Sequence, residues 1–227
     1  GVVFGPWEKD SAEVLRKATP QRYPIRNYPD ITHCFRCQFP VPKWDLPLAL
    51  TLGRECINPR PNDQKLIHNT YKDYFIGSVS YSEGINDDVN KFVWCDQEWD
   101  SKIPVIDTLR DYSRFFIDYE MADDIAQGIL ALELNFSGPL AENSNVDVCL
   151  KQWKSMESRI KGFAENNYRF EMGLLRAYYD AYQKQRYIYE KYLENEAIYV
   201  LSQCRELGSD KSMDKAMEIL NLARTKP

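Results

Sequence analysis

Ten of the twelve prolines lie within residues 1–104, and none lies between Tyr168 and Cys204. Proline fixes φ, removes a backbone donor and clashes with the preceding helical turn. The first part of the chain must therefore break into short elements, whereas the stretch after Tyr168 can run as one long helix, or as two with a kink at its single glycine, Gly173. Outside that stretch, the later part has one internal break that pairs glycine with proline, Ser137-Gly138-Pro139. Two textures result, and the domain division expected from them is residues 1–100 and residues 101–227.

The first part alternates short apolar runs with amphipathic ones. Val2-Val3-Phe4 is a β run stopped by Gly5-Pro6, and Ser11 is placed to cap a helix through Val14, Leu15 and Ala18. Tyr23-Pro24-Ile25-Arg26 reads as a second strand. Trp44 to Leu52 and the stretch from Asp63 to Tyr71 read as helices. Phe75 to Tyr81 has the best strand pattern in the chain, and Val89, Phe92 and Val93 then share one face of a following helix. That rhythm favours a parallel sheet. Three parallel strands cannot close a barrel and would leave exposed edges, so further strands are expected outside this sequence. The start at Gly1 rather than Met is read in the same way, as a processed, trimmed or partial chain.

The second part reads as a helical bundle. Pro104 opens a helix through Ile106, Leu109, Tyr112, Phe115 and Phe116, and Met121 to Leu134 forms the next. Asn145 or Asp147 caps a third, with Leu150, Trp153, Met156 and Ile160 on one stripe, and Asp210 or Ser212 caps the last. The long helix carries eight tyrosines, at 168, 178, 179, 182, 187, 189, 192 and 199. They are spread over several faces, so packing between helices is preferred to a sugar-stacking or partner surface.

A net charge of -5 gives no basic face for nucleic acid, and no apolar run is long enough to cross a bilayer. Cys34 and Cys37 have C-x-x-C spacing, with His33 directly before them, but no second ligand pair stands at comparable spacing. The C-x-x-C pair is read as plain structural thiols, the even count of six cysteines allows disulfides without requiring one, and no metal and no cofactor is expected.

The densest polar cluster follows the best strand: Tyr81-Ser82-Glu83-Gly84-Ile85-Asn86-Asp87-Asp88-Val89-Asn90-Lys91. In a barrel, residues just past the carboxyl end of a strand line the active-site face. Glu83 stands at that exit and is the first candidate carboxylate, with Asp87 the second. Capping and the helix dipole alone also explain acidic residues at a helix start, so Asp87 and Asp88 carry both readings. Asp30 and His33 follow the second strand. Asn58 and Arg60, in a proline-stiffened loop, have the hydrogen-bonding groups for sugar hydroxyls or a carboxylate, although the same loop also reads as a rigid turn. Tyr81 and Asn86 complete the candidate binding set, with Trp94 (and Trp7) as stacking platforms or as core. His68, inside an amphipathic helix, is read as a surface or packing residue.

The run from Tyr81 to Phe92 resembles a Y-S-E-G-x-x-x-D-x-N-K pattern at the last barrel strand of bacterial glycoside-hydrolase-like proteins of the α-glucuronidase and acetylhexosaminidase type. Leu109-Arg110-Asp111-Tyr112-Ser113-Arg114-Phe115-Phe116 is similar to the first helix of their C-terminal helical domain. The blocks at Tyr23–Arg26, Asp30–His33, Asn58–Pro61 and Arg176–Tyr182 extend the likeness over most of the chain. It implies an α/β fold, the last strands of an incomplete TIM-type (β/α)8 barrel over residues 1–100, followed by an all-α helical domain over residues 101–227. It also implies cleavage of a glycosidic bond by a carboxylate acid/base pair, and a secreted or periplasmic setting. The partner expected is an oligosaccharide or glycoside substrate, with no nucleic acid and no membrane, and the helical domain is open to a homo-oligomeric contact. Two alternatives stand beside this reading: a non-catalytic carbohydrate-binding or scaffold protein, and a helical protein-interaction module.

Overall fold

A computed structural model describes residues 1–5, 7–32, 59–82, 88–135 and 137–225. Among the described residues the protein is mostly helical, at 71%. Four short strands form two parallel pairs: β1 (Val2–Phe4) with β2 (Ile25–Asn27), and β3 (Asp30–Thr32) with β4 (Tyr81–Ser82). A bridge between Asn27 and Ser78 links the two pairs. The expected TIM-type barrel segment is overturned, because the described residues contain no barrel strands. Strands of two or three residues are too short to build a barrel wall, whose strands must tilt and stagger over a longer span. The physical reason is visible in the Phe75–Tyr81 run, the strongest strand pattern in the sequence. Gly77 sits at φ 138°, a backbone conformation that other residues rarely adopt, and only Tyr81–Ser82 reaches a regular ladder.

The parallel pairs require crossover connections. Between β1 and β2 the crossover is α1 (Ala12–Ala18), where Ser11 Oγ accepts from the Val14 amide at 3.3 Å as the sequence predicts. Next come α2 (Pro61–Tyr71) and α3 (Asp88–Trp99), which pack on each other. The start of α2 is capped from a distance: the Glu133 carboxylate accepts from the Asn62 and Asp63 amides at 3.1 and 3.0 Å, satisfying donors that a helix leaves open. The helical expectation for Trp44–Leu52 lies outside the described residues.

The core belongs to the bundle of α3, α4 (Val105–Phe116), α5 (Ala122–Leu134), α6 (Asn145–Glu157) and the first turns of α7 (Tyr168–Ser202). It runs from Val89 and Val93 through Leu109, Ile125, Ile129 and Leu132 to Trp153, Met156 and Phe170. The long helix is unbroken. Its side facing the core begins with Phe170, whose ring packs 5.5 Å from that of Trp153, and continues with Gly173, Ala177 and Ala181, small residues that let neighbouring helices approach closely. None of its eight tyrosines is buried; five are exposed and Tyr179, Tyr182 and Tyr189 are half-buried, so the expectation that they pack between helices is not met by full burial at any of them. A four-residue helical turn, Cys204–Leu207, and Gly208 at φ 84° then reverse the chain into α8 (Ser209–Thr225). Leu193 and Ala197 of α7 and Ser212 and Ala216 of α8 are the buried residues of this hairpin.

Trp153 is the largest fully buried side chain, and it sits in a notch between two glycines. Its indole N–H donates to the Gly128 carbonyl at 3.2 Å, and a Cβ on Gly173 would lie 2.2 Å from the ring. Glycine to alanine in a helix ordinarily stabilises by about 1 kcal/mol. Gly173→Ala is expected to reverse that sign and destabilise by roughly 1–3 kcal/mol through overpacking. Urea denaturation of the two proteins measures it, and an unchanged or higher midpoint contradicts the notch.

Candidate functional site

The segment Ile25–Thr32 runs between two parallel neighbours. The Tyr28 amide donates to the Phe4 carbonyl at 2.7 Å on one side, and the Tyr81 amide donates to the Pro29 carbonyl at 3.0 Å on the other. Register pairs Asp30 with Tyr81 and Thr32 with Ser82. All these strands point the same way, so their carboxyl ends share one edge. In the sequence the densest polar cluster begins at Tyr81 and Ser82 of β4, and its residues 83–87 lie outside the described residues. Beside the shared edge, a cavity of about 310 Å³ opens between the end of β1 (Phe4, Gly5, Glu8), Tyr28, and Tyr71 of α2. The Tyr28 and Tyr81 rings are tilted against each other at 6.3 Å between centroids.

The predicted site residues fare differently. Glu83, Asp87, Asn86, His33 and Asn58 lie outside the described residues. Asp30 and Tyr81 are backbone neighbours across β3 and β4, and the Tyr81 side chain stands at the surface. Arg60 occupies the N-cap position of α2. Its amide donates to Asn90 Oδ1 at 2.8 Å, and its guanidinium donates to Asp63 Oδ2 at 2.9 and 2.6 Å. These contacts tie Arg60 to the start of α2 and to α3, and the loop before Pro59 lies outside the described residues. Trp94 is 3% exposed, with its indole N–H donating to Ser78 Oγ at 2.8 Å. Its ring is therefore held in the wall between helix and strands, where its polar edge is satisfied. Trp7, by contrast, is well exposed.

Asp88, which carried both a functional and a capping reading, is committed elsewhere. One carboxylate oxygen accepts from the Tyr112 hydroxyl, and the other accepts from Arg169 Nε and Nη2 at 2.9 and 2.6 Å. Asp88 is buried, and Arg169 lies over the Phe116 ring at 4.3 Å. Burial and the neighbouring Asp88 carboxylate both push the Tyr112 hydroxyl far above the usual tyrosine range, so it stays a donor. This triad joins the helix that follows β4 to α4 and α7 of the bundle. Sequence reading missed Arg169 because the pair is separated by 81 residues; no local spacing signals such a contact.

A second polar knot lies inside the bundle. Asn135 Nδ2 donates to Asp180 Oδ2 at 2.8 Å, and Arg176 Nε lies 2.8 Å from Asp180 Oδ1. Burial raises the Asp180 carboxyl above its ordinary range, against the opposing pull of Arg176 and Asn135. Burial also pushes the Cys149 thiol up to about 12, which keeps it a protonated core residue. Cys95, Cys149 and Cys204 are free thiols, and among the described residues no group of histidine, cysteine and carboxylate side chains could hold a metal ion. No helix among the described residues is long and apolar enough to cross a membrane.

Comparison with protein-family models, with curated proteins and with solved structures finds no match to this chain.

Both oxygens of Asp88 are occupied, so removing its cation leaves a buried carboxylate without a counter-charge. Arg169→Met is expected to cost about 3 kcal/mol in a chemical unfolding titration, the range for breaking a buried pair. Asp88→Asn with Arg169→Met together should lose less than Arg169→Met alone. A double variant that is less stable than the single one contradicts the pairing argument.

Proposed function

We propose that this chain is part of a carbohydrate-active protein, acting on a glycosidic bond through carboxylates at the edge where its parallel strands end. The observation that carries the reading is the register of β3 and β4, which sets Asp30 beside Tyr81 and Thr32 beside Ser82. His33 and Glu83 each follow directly on a paired residue. Side chains at the carboxyl ends of adjacent parallel strands converge on a common rim, and such rims are where open and closed parallel sheets bind ligands. The composition of the rim suits sugars: tyrosine rings for apolar sugar faces, and carboxylate and amide groups for hydroxyls. The resemblance of the Tyr81–Phe92 run to glycoside-hydrolase-like proteins agrees with this chemistry, and it is carried by the site residues rather than by a barrel.

In this reading Glu83 is the first carboxylate and Asp87 or Asp30 the second, one protonating the leaving oxygen and the other serving as base or nucleophile. Asp88 takes no part as a base, because both its oxygens are held by Tyr112 and Arg169. Asn58, Asn86, His33 and Tyr81 orient the sugar.

Glu83→Gln is expected to lower aryl-glycoside turnover by about 10²–10⁴-fold, the contribution of a positioned acid or base, while leaving oligosaccharide affinity within a few-fold of the parent. Initial rates and calorimetric binding on the same preparations read the two effects separately. Undiminished turnover removes Glu83 from the chemistry. Saturable glycan binding without any turnover by the parent chain points instead to a non-catalytic sugar-binding protein.

A further inference from the structure

A second cavity, of about 370 Å³, lies at the opposite end of the Ile76–Ser82 segment from the proposed sugar edge. It is bounded by Phe75–Gly77, by His68 near the end of α2 and by Trp94, Gln97 and Glu98 of α3. Trp99 stands at its margin and is 90% exposed.

His68 is 4% exposed, and its ring orientation is fixed by a chain of hydrogen bonds that starts at backbone carbonyls. Gln97 Nε2 donates to the Ile103 carbonyl at 3.0 Å, and Asn69 Nδ2 donates to the Ser101 carbonyl at 3.0 Å. A carbonyl can only accept, so the Asn69 amide is oriented with Oδ1 away from Ser101. Oδ1 then faces His68 Nδ1 at 2.9 Å, and Nδ1 must carry the proton. In the neutral ring this leaves the lone pair on Nε2. That nitrogen lies 3.6 Å from Glu98 Oε1, outside hydrogen-bond distance. Oε1 accepts from Trp94 Nε1 at 3.3 Å, which holds the carboxylate beside the histidine. The His68 ring meets Trp94 edge to face at 5.2 Å, so it has no freedom to turn away.

Beside the Asn27 and Gln97 amides, the Ser101 hydroxyl and the Trp99 indole, which bring donors, the wall is rich in acceptors. His68 Nε2 and the Glu98 carboxylate accept, and Asp73 and Asp100 add two more carboxylates. The single lysine of the wall, Lys72, is 3.4 Å from Asp73 and so is already matched by one of them. Counting three carboxylates against one ammonium, the acidic and lysine groups of the wall carry net negative charge, and Trp94 and Trp99 bring indoles beside them. An ammonium group brings three donors and one positive charge, and it is attracted to the π-face of tryptophan.

We infer that this cavity is a binding site for a small primary ammonium ligand, with Glu98 as its counter-ion, His68 Nε2 accepting one of its N–H groups and Trp99 covering it from the margin. The site is separate from the strand edge proposed for sugar and does not depend on that reading.

Cyclohexylammonium chloride and cyclohexanol, equal in shape and different in charge, are titrated against the full chain at neutral pH by calorimetry and tryptophan fluorescence. Cyclohexylammonium is expected to bind saturably and at least about tenfold more tightly than cyclohexanol, a difference of about 1.4 kcal/mol. Glu98→Gln should abolish that preference. Trp99→Ala, at a position too exposed to support the core, should weaken cyclohexylammonium about threefold or more with an unchanged unfolding midpoint, so the test does not hang on one variant. Equal affinity for the two compounds, no saturable binding, or an unaltered preference in both variants overturns the assignment.

Discussion

Asp88 opens the helix that follows β4, and its two carboxylate oxygens are both claimed by the bundle, one by Tyr112 and one by Arg169. A buried carboxylate is costly unless it is paired and hydrogen-bonded, and here both oxygens accept from groups of α4 and α7, in three hydrogen bonds. The strand layer is therefore fastened to the helices at the residue where the polar segment 83–87 ends. Arg169 is itself fixed. Its position follows from the N-cap of α7, where Asn167 accepts from the Arg169 amide at 3.0 Å and donates to the Phe116 carbonyl at 2.7 Å. One asparagine thus starts the long helix, ties it to the end of α4 and presents the arginine to Asp88.

The same economy appears where α2 begins. Arg60, Asn90, Asn62, Asp63 and Glu133 form a contact set in which a carboxylate from α5 caps α2 and an asparagine from α3 holds the preceding loop. Side chains that resemble ligand-binding groups in the sequence turn out to satisfy backbone donors. Buried backbone groups must find partners, and in a fold with so little sheet, side chains have to supply many of them. This is why Arg60 and Asn90 serve the framework, whereas the His68–Glu98 cavity is lined by polar side chains.

The bundle is organised by size rather than by polarity. Trp153 enters between Gly128 and Gly173 because neither carries a Cβ, and Met156 lies against the same notch. Ala177 and Ala181 continue the narrow stripe along α7. Its tyrosines lie off that stripe, five exposed and three half-buried, and the Tyr178 hydroxyl donates to Glu157 Oε2 of α6 at 3.0 Å.

How much of this could be read in advance depends on the range of the interaction. Local rules located the Ser11 cap, the helix opened by Pro104, the helical stretch from Tyr168 (one helix or two, by its sequence) and the strand at Val2–Phe4, and they set the second strand at Tyr23–Arg26, two residues before the observed Ile25–Asn27, because capping, proline placement and helical periodicity act within a few residues. The sequence also concentrated its polar residues after Tyr81. The tertiary structure alone decided the rest. A run with an ideal strand pattern at Phe75–Tyr81 was bent at Gly77, so no barrel wall forms among the described residues. Asp88 became a structural anchor through a partner 81 residues away, and His68 became a buried, oriented imidazole through carbonyls at 101 and 103. Each of these outcomes turns on contacts between residues far apart in the chain, whose pairing no local spacing encodes.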